Sequence, residues 1–90
     1  MFNVTISFNP NNENIREETV KRLTAARAAF FDELVKDGLI EELKEEGGHV
    51  TFRVTFGGTQ EFLSKLPKVV WHFRVLDKKA RITLEAVPAL

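Results

Sequence analysis

Phe2, Val4, Ile6 and Phe8 alternate with Asn3, Thr5, Ser7 and Asn9, and Val50, Phe52, Val54 and Phe56 alternate with His49, Thr51, Arg53 and Thr55. Successive side chains of a strand point to opposite faces, so each run predicts a strand with one apolar and one polar face. An apolar sheet face must be covered by a second layer. The cover lies between the two runs, where Ile15, Thr19, Val20, Leu23, Ala26, Phe30, Phe31, Leu34 and Val35 recur at three- and four-residue steps. That spacing places them on one stripe of a helix.

The remaining elements follow from the turn residues. Asn9-Pro10-Asn11-Asn12 ends the first strand, and Asn14 with Glu17, or Asn12 in its place, fits a helix cap. Asp37-Gly38 reads as the helix end, Leu39, Ile40 and Leu43 as a short second helix, and Gly47-Gly48 as its stop. After Gly57-Gly58, Thr59 is placed to cap a short helix over Phe62, Leu63 and Leu66 that Pro67 ends. Trp71, Phe73 and Val75 against Val70, His72 and Arg74 predict a third strand. Ile82, Leu84 and Ala86 against Arg81, Thr83 and Glu85, after the turn Asp77-Lys78-Lys79 and before Pro88, predict a fourth. The expected fold class is α+β, in the order β-α-α-β-α-β-β. It is a two-layer α/β sandwich with one long helix plus short helices on one face of a four-stranded mixed sheet. The ferredoxin-like order is excluded on this reading, because it needs a β-hairpin directly after the first helix. Residues 1–90 are expected to form one domain with one core.

Composition narrows the chemistry. The absence of cysteine excludes disulfides, thiolate nucleophiles and cysteine-ligated zinc. No apolar run approaches the length of a membrane helix, and Met1 to Asn9 lack the basic and apolar regions of a signal peptide, so a cytoplasmic location is expected. The 13 basic and 13 acidic residues cancel, which removes a global electrostatic case for nucleic acid or membrane. Their distribution is uneven, with a net charge of −4 through Gly48 and +4 from His49 onward. Glutamate-rich helices over an arginine- and threonine-bearing sheet account for that division.

Alternation gathers His49, Arg53, His72, Arg74, Arg81 and Glu85 on the polar sheet face, with Thr51, Thr55 and Thr83. Two histidines and a glutamate are the residue types of a metal triad or an acid-base pair, but no H-x-x-x-H or H-x-E spacing supports either. Gly57-Gly58-Thr59 lacks the further glycines and the lysine of a phosphate loop, and reads as a strand-to-helix turn. Phe2, Phe8, Phe52, Phe56, Trp71 and Phe73 fall on the core side, so no aromatic is left outside to stack bases. No catalytic residue, metal or other cofactor is expected. An aromatic-lined core can still hold an apolar ligand if the sheet curves. Val70, Leu76 and Val87 are the apolar residues expected on the outer sheet face, where they would mark a dimer contact; a monomer is expected otherwise.

The W-x-F-R-V segment Trp71, Phe73, Arg74 and Val75, with the expected element order, resembles small bacterial toxins of the RelE/ParE kind. Those toxins are generally basic, and this neutral chain departs from them. A closer resemblance is to computationally designed α/β proteins, carried by sharp Asn-Pro-Asn-Asn and Gly-Gly loops, regular alternation, balanced charge, and no cysteine or tyrosine. That resemblance implies a structural scaffold with no activity of its own and no enzyme function. The alternative is a small binding module, for an apolar ligand between helix and sheet or for a protein partner on the sheet face, and a natural toxin-like protein is the third reading.

Overall fold

The computed structural model describes residues 1–87. In chain order these residues form β1 (Phe2–Ser7), α1 (Glu17–Lys36), β2 (Ile40–Glu46), β3 (His49–Val54), α2 (Thr59–Arg74) and β4 (Arg81–Ala86). The strands lie in the order β2-β3-β1-β4 and every neighbouring pair is antiparallel. The class is α+β, with both helices on one face of an open sheet, and no helix among the described residues is long and apolar enough to cross a membrane. The succession is the ferredoxin-like β-α-β-β-α-β, which the sequence pattern had excluded.

Two segments account for the difference. The expected short helix at Leu39, Ile40 and Leu43 is edge strand β2. Gly47 and Gly48 are a hairpin turn instead of a helix stop: both have positive φ, 46° and 92°, as a tight two-residue hairpin connection requires. Gly48 is also pressed against Phe8, whose N–H donates to the Gly48 carbonyl at 2.9 Å, and a Cβ there would lie 2.6 Å from the Phe8 oxygen. β2 therefore reaches β3 directly, and the glutamates that favour a helix locally are overridden by the ladder. The sheet is consequently antiparallel throughout instead of mixed.

The expected third strand at residues 70–75 is the second half of α2. Pro67 lies inside that helix and does not end it. Phe62, Leu66, Val69 and Phe73 recur at helical steps along the face toward the sheet, and burying that stripe outweighs one lost backbone hydrogen bond. The change from a two-residue to a 3.6-residue period moves several side chains. Trp71, expected inside, is 52% exposed, and His72, expected in water, is buried. Val70 is half-buried and Leu76 buried, so neither lies on the outer sheet face. Arg74 also belongs to α2 and not to the sheet. Phe56, one residue beyond the Thr55 that follows β3, is 84% exposed instead of inward. The termination of the last strand by Pro88 lies outside the described residues.

Other boundaries fall close to expectation with different chemistry. α1 ends at Asp37-Gly38, where Gly38 takes φ 73°. Its start is at Glu17, without a side-chain cap; Asn12 instead closes a local turn through its Oδ1, which accepts the Asn14 N–H at 2.9 Å. Thr59 does not cap α2. Thr55 holds that entry, its Oγ1 accepting the Gly58 N–H at 3.1 Å and donating to the Gly38 carbonyl at 2.7 Å.

The core joins Val4, Ile6 and Phe8 of β1 and its loop, Val50, Phe52 and Val54 of β3, Phe31 and Leu34 of α1, and Phe62, Val69 and Phe73 of α2. Phe31 meets Phe52 edge-on at 5.5 Å, and Phe8 meets Phe73 at 5.0 Å. Phe62 of α2 lies 5.6 Å from Phe52 of β3 and 6.1 Å from Phe2 of β1, so α2 covers both central strands. Each fully buried large apolar side chain contributes roughly 1.5 to 3 kcal/mol.

Candidate functional site

The sheet face opposite the helices is lined by every second residue of each strand, and the pairing register arranges those residues in rows. One row runs from Glu41 through Arg53 and Asn3 to Glu85. The next joins Lys44, Thr51, Thr5 and Thr83, and the third joins Glu46, His49, Ser7 and Arg81. Of the six expected cluster residues, His49, Arg53, Arg81 and Glu85 thus share the open face. His72 and Arg74 stand on α2, on the other side of the sheet.

Arg53 organises the first row. Its Nη1 lies 3.4 Å from Glu41 and its Nη2 2.9 Å from Glu42. The second carboxylate arrives through a β-bulge between Glu41 and Lys44, where Glu42 adopts φ 56°. A left-handed glutamate costs free energy, so the bulge sets this carboxylate against local preference. Beside it lies a depression of about 290 Å³ lined by Asn3, Thr5, Glu42, Lys44, Thr51, Arg53 and Glu85. Ser7 Oγ and His49 Nδ1 are 3.1 Å apart in the third row. Mixed charges and hydroxyls without an exposed aromatic suit polar contact and offer no stacking platform. Among the described residues no three His, Asp or Glu side chains are grouped to hold a metal ion.

A second polar centre lies on the helix side. Arg27 of α1 is buried, with its Cζ 4.8 Å from the Phe8 ring centroid and 5.0 Å from that of Phe73. Its Nη2 donates to Glu45 Oε1 at 2.7 Å, while Nη1 finds no acceptor among the described residues. The pair borders a cleft of about 210 Å³ lined by Phe31, Asp32, Leu43, Val50 and Phe73. His72 stacks on Phe30 with centroids 4.8 Å apart, and Lys68 Nζ lies 5.2 Å from the same Phe30 ring. Burial lowers the His72 pKa from its usual value, and the nearby Lys68 and Arg27 cations lower it further. The lowered pKa favours the neutral ring, and its Nε2 has no partner among the described residues. This ring and cation stitch α1 to α2 and β2.

Arg27 stands among alanines, apart from the charged clusters of the sequence. Its signal is helical spacing: Leu23, Arg27, Phe31 and Leu34 form one stripe, with a cation where an apolar residue is usual. A two-residue period sets His72 outside, whereas the helical period of α2 turns it inward.

At the far end of the sandwich Asp77 ties two loops together. Its carboxylate accepts the backbone N–H groups of Asn9 and Lys79, each at 2.9 Å, and Asn12 Nδ2 donates to the Leu76 carbonyl. The two backbone donors hold the Asp77 pKa below its ordinary value.

No protein-family model, no curated protein and no solved structure matches this chain.

Proposed function

We propose that the chain is a non-catalytic binding module that docks a protein partner through apolar side chains on and around α2. The observation that carries this reading is the exposure of large apolar groups there: Phe56 is 84% exposed, Trp71 52%, and Leu63 and Leu84 45% each. Such groups cost solubility on a free monomer, and aromatic residues are enriched where proteins meet. The partner surface is then the helix flank and not the polar sheet face. A designed scaffold with no activity, the reading favoured by regular alternation, has less use for an exposed Phe56, a proline inside α2 or a left-handed Glu42.

The test separates a surface kept for binding from one kept for stability. The double variant Phe56→Ser, Trp71→Lys should fold with an unfolding midpoint equal to or above that of the parent. A loss of more than about 2 kcal/mol would mean these side chains serve the fold, and the binding reading would fail.

A further inference from the structure

We infer that the chain pairs with a second copy of itself along the free edge of β4, giving one continuous eight-stranded antiparallel sheet. This rests on the binding reading above and names its partner. The sheet has two edges, and they are built differently. β2 carries a bulge, a left-handed Glu42, and Glu41, Glu42, Glu45 and Glu46, so a second β2 laid against it would bring together two strands of four glutamates each. Bulges and like charges are the usual guards of an edge strand. β4, Arg-Ile-Thr-Leu-Glu-Ala, pairs with β1 through six consecutive residues without a bulge.

The ladder shows which β4 groups are free. Phe8 N–H donates to Gly48 O, so the even-numbered residues of β1 bond to β3; Val87 N–H donates to Met1 O, so the odd-numbered residues of β4 bond to β1. In an antiparallel strand the N–H and C=O of one residue point to the same side. Ile82 and Leu84 therefore present their backbone groups outward. A two-fold arrangement centred on Thr83 sets Ile82 against Leu84 of the second copy as hydrogen-bonded pairs, and Thr83 against Thr83 as the close pair. The same register brings Arg81 opposite Glu85 twice, on the open face. Among the described residues neither of these two makes an ion pair within the chain, and their β1 neighbours are the uncharged Ser7 and Asn3. One register thus satisfies the backbone and the charges together.

The helix layer supports the same seam. α2 turns its His72 and Lys68 flank toward Phe30 of α1. Its other flank carries Leu63, Leu66, Pro67 and Val70 at steps of three, four and seven residues, and on the same side of the sheet β4 carries the exposed Leu84 and the half-buried Ile82. The two-fold axis of this pairing is perpendicular to the sheet, so both helix layers lie on the same side. The two apolar flanks then face each other across the new strand pair.

Analytical ultracentrifugation of the parent and three variants decides the matter. The parent should sediment as a dimer at tens of micromolar. Arg81→Glu and Glu85→Arg should each weaken the dimer at least tenfold, by setting like charges opposite each other. Combined, they should restore it to within about threefold, since the exchanged pair is again complementary. Circular dichroism should be the same for all four. A parent that stays monomeric at several hundred micromolar would overturn the proposal, as would a dimer indifferent to both single changes. Neither result bears on Phe56 and Trp71, which lie off this seam and whose reading stands or falls on the stability of their double variant.

Discussion

Arg27 offers a quantitative test of how this core is assembled. Its guanidinium lies between the rings of Phe8 and Phe73 and has one charged partner, Glu45, at 2.7 Å. A hydrogen bond to a charged group contributes about 1.5 to 3 kcal/mol. The Glu45 side chain is 53% exposed, so water competes for it, and the expected cost of Glu45→Gln falls to about 1 to 2 kcal/mol. Arg27→Met should behave differently. The thioether fills much of the same volume against the two rings, and the desolvation cost of a buried cation with an unsatisfied Nη1 disappears, so the net change should stay within about 1 kcal/mol of zero. In the Arg27→Met background, Glu45→Gln should cost almost nothing. Urea unfolding followed by Trp71 fluorescence measures all four proteins; with a slope near 1 kcal/mol per molar for a chain of this size, Glu45→Gln shifts the midpoint by roughly 1 to 2 M. The reasoning fails if Glu45→Gln costs the same in both backgrounds, or if Arg27→Met destabilises by more than Glu45→Gln.

Two further outcomes follow from burial and titration. Phe62→Ala should cost about 3 to 5 kcal/mol because Phe62 is wholly enclosed, whereas Trp71→Ala should stay within about 1 kcal/mol; equal costs by chemical denaturation would contradict the helical assignment of residues 70–74. His72 has a folded pKa below its usual 6.5, so above that value the ring is neutral in both states and stability is flat. As pH falls below 6.5 the unfolded chain takes up a proton that the folded one refuses, and stability declines; His72→Phe should remove that decline. Asp77, whose folded pKa is depressed by two backbone N–H groups, adds a further loss only below about pH 4, because there the unfolded carboxylate protonates first. A parent whose urea midpoint is constant from pH 7 to pH 5 would refute the His72 assignment.

Sequence alone determined the strands whose pattern has a single reading. The alternation in β1, β3 and β4 and the stripe of α1 correspond to one periodicity each, and an apolar sheet face requires a covering layer whatever the order of the strands. It also placed Arg53, Arg81, Glu85 and His49 on the open face, because in a strand side-chain direction follows parity. The second half of α2 was not legible in this way. Val69, Val70, Trp71 and Phe73 are residues that strands favour, Pro67 looks like a stop, and a stretch this short fits both periods. Only the requirement that Phe62, Leu66, Val69 and Phe73 reach one core selects the helix. β2 is the converse case: its glutamates favour a helix, and the ladder with β3, opened by two glycines of positive φ, makes it a strand. Both decisions depend on contacts between residues distant in sequence, as do the burial of Arg27 and His72 and the contrast between the two sheet edges. Local preferences differ by about 1 kcal/mol or less per residue, whereas pairing a strand or burying a helix face is worth several, so tertiary structure decided wherever the two conflicted.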